Sequence, residues 1–79
     1  MEFGLDRLRP GERGRLLRLE LPAGRAEALR RLGLIPGTEI RCLRISPLGD
    51  PAAYRFRGTD LALRRRDAAG IVIEGEEGH

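Results

Sequence analysis

The stretch "LRRLGLIPGTEIRCLRI", Leu29 to Ile45, carries the chain out of a helix and into a strand, and its reading decides the fold. Just upstream, "GRAEALRRL" from Gly24 to Leu32 is built of good helix formers, with Ala26, Leu29 and Gly33 on one side at helical spacing. Gly33 suits the left-handed residue just past a helix end. In that arrangement the next residue packs back onto the residue four before the glycine. Here the pair is Leu34 on Leu29, both leucine. "IPGT" then predicts a type II turn, with Pro36 presetting φ and Gly37 supplying a positive φ. Within "TEIRCLRI", Ile40 and Cys42 share one parity, while Leu43 and Ile45 share the other. A strand that changes face halfway predicts a bulge or a barrel corner.

Working outward, "LRPGERGRL" predicts a turn at Pro10-Gly11. Leu17, Leu19 and Leu21 alternate with Arg18 and Glu20, the period-2 pattern of a strand with one buried face, and Pro22 ends it. Downstream, "SPLGDP" (Ser46 to Pro51) closes the strand with two prolines and a glycine in six positions. "AYRFRGTDLALR" reads as a hairpin: Tyr54 and Phe56 point one way, Leu61 and Leu63 answer them, and Gly58-Thr59 fits a two-residue turn with glycine first. "RRDAAG" gives one short helical turn, and "IVIE" a last strand with Ile71 and Ile73 inward. Residues 74–79 read as a disordered acidic tail. The expected fold is therefore mainly β: a small SH3-like barrel of about five strands, with one short helix between the first two. Curling the sheet into a barrel is the efficient way to hide strand edges at this size.

Seventy-nine residues predict a single domain, 1–79. The lone Cys42 has no internal disulfide partner and sits in an apolar strand, where a buried, inert thiol is the common state. A reducing, cytoplasmic setting fits. The start "MEFGLDRLRPGERG" lacks a signal-peptide core, and no apolar run reaches the length of a membrane span. All fifteen basic residues are arginine, and residues 1–73 set them against nine acids, a balance of +6. Such a body can meet nucleic acid, anionic lipid or an acidic protein face.

The ordered set "LRPGERG", "LRRLGLIPGTEI", "SPLGDP", "YRFRGTDLALRRRDA" and "IVI" resembles the FeoA family across nearly the whole chain, from about Leu5 to Ile73. One departure is Ser46, where the family commonly has alanine. The resemblance implies an SH3-like barrel without catalytic activity. It also implies a partner, the ferrous-iron permease FeoB, engaged through its cytoplasmic GTP-binding part. The same barrel resembles the C-terminal domain of iron-dependent repressors, but no DNA-binding helices precede it here, so a whole repressor is not expected. No cofactor is expected, and oligomeric state is left open.

The residues themselves speak against chemistry. There is no G-x-x-x-x-G-K loop and no lysine at all, His79 lies in the tail, and the acids are scattered singly. Asp50, Asp60 and Asp67 fall near turns, where carboxylates solvate or cap, and no convergent metal-ligand set is visible. "LRRR" at Leu63 to Arg66, with Arg55 and Arg57, forms the basis of a rival nucleic-acid reading. It lacks spare aromatics to stack on bases. Protein binding is the leading reading. Its candidate residues are Pro47, Leu48, Gly49 and Asp50 in the loop, and Leu29 and Leu34 at the helix end. Local turn chemistry explains the prolines and Gly49 but not Leu48, which is either a presented contact or a lid folded onto the barrel. Leu29 and Leu34 are either core residues or part of a docking surface.

Overall fold

The computed structural model describes residues 1–75. The elements run β1 (Glu2–Gly4), a 3-10 turn (Leu5–Arg7), β2 (Arg13–Leu19), α1 (Ala23–Arg31), β3 (Glu39–Ile45), β4 (Ala52–Phe56), β5 (Thr59–Leu63), α2 (Arg65–Ala69) and β6 (Ile71–Gly75). The strands form one antiparallel sheet in the order β1-β6-β2-β3-β4-β5. Its core gathers Leu16 of β2, Ile40 and Cys42 of β3, Tyr54 and Phe56 of β4, and Ile71 and Ile73 of β6 against Leu5, Leu29, Leu34 and Ala68. The fold is mainly β, with six strands where the periodicity gives five. The extra one is β1, three residues too short to show alternation, so α1 lies between the second and third strands. The last strand also runs on through Glu74 and Gly75, which pair with Arg15 and Gly14 of β2. The expected tail therefore begins too early, and its remainder lies outside the described residues.

The turn out of α1 follows from its sequence. Gly33 has φ 100. Its N–H donates to Arg30 O at 2.9 Å, and the Leu34 N–H donates to Leu29 O at 3.0 Å, the paired bonds of a Schellman cap. Leu29 and Leu34 both join the core. Gly37 has φ 92, and the Thr38 N–H closes the turn on Ile35 O at 3.0 Å. The buried Thr38 hydroxyl donates to Gly33 O and accepts from the Ile35 N–H, both at 3.2 Å. Helix cap and turn are thereby one hydrogen-bonded unit.

The change of face in β3 is a bulge. Cys42 pairs with Tyr54 and Arg44 with Ala53, leaving Leu43 as the extra residue. A second bulge corrects the expected facing of β2. Leu16 pairs with Ile73, Arg18 with Val72 and Leu19 with Ile71, so Leu17 is the inserted residue. Leu16 before it and Leu19 after it both face the core; of the expected inward set Leu17, Leu19 and Leu21, the last two do pack there and Leu17 does not. In the β4–β5 hairpin Phe56 pairs with Thr59, so the turn residues are Arg57 and Gly58, not Gly58-Thr59. Both have positive φ, 51 and 74, the type I′ arrangement whose twist matches the strands. This register sets Arg55 opposite Asp60, and two hydrogen bonds at 2.6 and 2.9 Å join them.

Two glycines of α1 and its cap are expected to respond in opposite directions. Gly33 sits at positive φ, and a Cβ there would meet Arg57 Cδ at 3.0 Å, so Gly33→Val should destabilise by more than about 1 kcal/mol. A Cβ at Gly24 meets nothing within 4 Å, and Gly24→Ala should stabilise by about 0.4–1 kcal/mol through the unfolded chain. Urea denaturation of both variants checks the pair.

Candidate functional site

The loop Ser46 to Pro51 joins β3 to β4 above the pair Ile45–Ala52. The Ser46 N–H donates across its base to Pro51 O at 3.1 Å. The Gly49 N–H donates to Ser46 O at 2.7 Å, closing a β-turn with Pro47 in its second position. Gly49 follows at φ 89. A Cβ there would meet Arg65 Nη2 only at 3.7 Å, so conformation and not space calls for glycine. Leu48, at the tip, is 95% exposed. It is no lid.

Asp50 anchors the loop. Its Oδ1 accepts the Arg65 N–H at 2.9 Å, filling one of the donors that the first turn of α2 leaves open. The loop is thus tied at its base to β3 and β4 and at its shoulder to α2. Asp50 holds the loop in place, while Leu48 is its exposed apolar residue.

Leu29 and Leu34 do not share that surface. They are 7% and 1% exposed, core residues of the Schellman contact. Their neighbours Leu32 and Ile35 are the exposed ones. The reason is geometric: a cap that turns its third-last helical residue and the residue after glycine inward leaves those beside them facing out.

The three aspartates near turns are each engaged separately. Asp50 caps α2, Asp67 pairs with Arg25, and Asp60 pairs with Arg55. The hydrogen bonds from the Arg55 guanidinium hold the Asp60 carboxyl below the usual carboxylate range. Among the described residues no three His, Cys, Asp or Glu side chains gather as a metal site. Burial, with a smaller push from the Glu12 carboxylate, raises the Cys42 thiol above its ordinary value, which suits an inert core sulfur. The expected basic stripe is divided as well. Arg55 is already paired, and Arg57 and Arg64 lie at opposite ends of β5.

Comparison with known proteins agrees with this architecture. The FeoA domain family matches residues 3–75. The chain belongs to the FeoA family. It is 31% identical over 70 residues to the Fe(2+) transport protein A/Fe(2+) transporter FeoB fusion protein of Porphyromonas gingivalis, a match covering 89% of this chain and 8% of that one. The solution structure of the FeoA protein of Chlorobium tepidum superposes with a TM-score of 0.88 at 33% identity, covering 96% of this chain and 75% of that one. The zinc complex of Stenotrophomonas maltophilia FeoA gives 0.79 at 28% identity, covering 90% and 88%. That protein is described as a prokaryotic SH3 domain protein and a candidate ferrous iron transport activating factor. The FeoA chain described here has, among its described residues, no helix long and apolar enough to cross a membrane.

Leu48→Asp should leave stability within about 0.5 kcal/mol of wild type, since the tip touches solvent. Asp50→Ala should lower it by about 1 kcal/mol through the lost cap; denaturant midpoints of the two variants separate them. The single tyrosine gives a pH readout. Burial, ahead of smaller effects from nearby acidic groups, pushes the Tyr54 phenol from 10.0 up to about 12. The folded form therefore holds a proton that the unfolded chain releases first. The corresponding stability is complete below about pH 10 and is lost as pH rises through about 12. Phenolate absorbance of the native protein should stay absent until that range.

Proposed function

We propose that this chain is a non-catalytic accessory protein of ferrous-iron uptake that docks on the cytoplasmic GTP-binding part of a FeoB-like permease. The loop from Ser46 to Pro51 makes the contact, and Leu48 is its apolar anchor. The observation that carries this reading is Leu48 itself, 95% exposed on a loop braced by three hydrogen bonds. A loop held in its docking shape loses little entropy on binding, so the apolar area it buries goes largely into affinity. Fusion of the two transport proteins in the P. gingivalis relative supports the choice of partner, because a shared chain keeps both halves at high effective concentration. The chain acts in the cytoplasm, at the inner face of the membrane through its partner, and brings no catalytic residue or cofactor of its own.

Co-purification with the permease from detergent-solubilised membranes tests the proposal. Interface energy concentrates in a few buried side chains, so Leu48→Asp should weaken the complex by about 2 kcal/mol or more, about 30-fold in Kd. Retention equal to wild type would remove Leu48 from the interface. Turnover of GTP or ATP by the purified protein would overturn the accessory role.

A further inference from the structure

We propose a second docking surface on the outer face of β3 and β4, a groove shaped to take an extended acidic segment of a partner protein. Sheet alternation creates it. Ile40, Cys42, Tyr54 and Phe56 face the core, so Glu39, Arg41 and Arg55 face out, with Arg57 following at the turn. The register then sets Arg13 opposite Arg41 and Arg41 opposite Arg55, three arginines abreast on neighbouring strands. Like charges placed directly opposite one another weaken a sheet. The flanking pair have counter-ions: Arg13 has Glu39 at 3.9 Å, and Arg55 has Asp60. Arg41, in the middle, has no carboxylate in ion-pair reach among the described residues, and neither does Arg57.

Arg41, Arg55 and Arg57 line one open groove of about 450 Å³, together with Glu39 and the turn glycines Gly37 and Gly58. Arg57 is the independent sign that this groove is more than a solvated face. It is the only non-glycine at positive φ among the described residues, in a turn position that favours asparagine or glycine. Its stem runs over Gly33, where a Cβ would sit 3.0 Å from Arg57 Cδ. An arginine at positive φ, its stem seated over Gly33, thus lines the same groove as Arg41.

The occupant follows from the chemistry. Each guanidinium can hold a carboxylate or a phosphate through two parallel hydrogen bonds, so the rest of the groove decides between them. The groove is open, so a small anion would remain largely in water, whereas a chain segment covers it. Nucleic acid fits less well. Tyr54 and Phe56 point into the core and offer no stacking platform. A peptide, by contrast, can donate its backbone N–H groups to Glu39.

The test is an NMR titration of the full-length protein with a decapeptide of alternating Glu and Gly, and in parallel with a single-stranded DNA decamer. Expected is peptide binding that weakens with salt and shifts the amides of Glu39–Arg41 and Arg55–Gly58. Arg41→Gln and Arg57→Asn should each weaken it at least fivefold, with Arg41→Gln melting at or above the wild-type temperature because it relieves a like-charge row. Arg18→Gln, at a residue already held by Glu2 and Glu20, should change nothing. Any one of three results overturns the proposal: no peptide-dependent shifts in these segments, equal loss with Arg18→Gln, or tighter binding of the DNA than of the peptide. Leu48→Asp should leave peptide binding intact, so this surface stands or falls apart from the permease contact.

Discussion

The reversal at Gly33 is the constraint on which most of this small structure depends. A positive φ there brings the Leu34 N–H onto the Leu29 carbonyl and drives both leucines into the core. The same carbonyl region is read by Thr38, whose hydroxyl spans Gly33 and Ile35 and fixes where β3 begins. The missing side chain at Gly33 also seats the stem of Arg57 from the β4–β5 hairpin. One residue without a Cβ therefore joins the end of α1, the start of β3 and the far hairpin. In a chain this short, burying only roughly 60–65% of its unfolded surface, a single joint can carry that much because few other contacts back it up.

How much of this was legible depended on whether a physical signal was unique. The bulge at Leu43 could be read because its apolar residues change parity across it. The bulge at Leu17 could not, because Leu16, Leu17 and Leu19 are all leucine and either parity offers a plausible apolar face. The hairpin failed for a related reason. Pairing Phe56 with Thr59 or with Leu61 keeps the same residues inward, and either register sets an arginine, Arg55 or Arg57, opposite Asp60. At the loop, proline and glycine announced rigidity, yet local turn chemistry is silent on which side of the molecule a tip residue faces. Leu48 needed three dimensions. The Leu29–Leu34 contact was legible from the cap, but whether the pair also faced a partner was not; their burial places both in the core.

The candidate loop and the fold are coupled through few contacts, which is what a docking element requires. Its base continues the β3–β4 ladder, and its shoulder rests on the Asp50 cap of α2. Beneath that cap, α2 buries Ala68 in the core, with the 3-10 turn and Leu5 alongside. Stiffness thus enters the loop from the core, through Asp50, without burying its tip. Leu48 stands in solvent, and among the described residues the core does not draw on it.

The two proposed surfaces sit at opposite ends of β3. Arg41 lies near its start and the loop follows its last residue, Ile45. At about 3.3–3.4 Å per residue, four residues of strand put up to about 13 Å between them before the loop adds its own reach. They also differ in kind: an apolar tip gains from excluding water, whereas an open arginine groove gains from charge and is weakened by salt. A basic groove speeds and orients encounter with an acidic surface, and an apolar anchor slows departure. Placed on one rigid strand, the two would let a single 79-residue protein set its rate of association and its residence time through different residues.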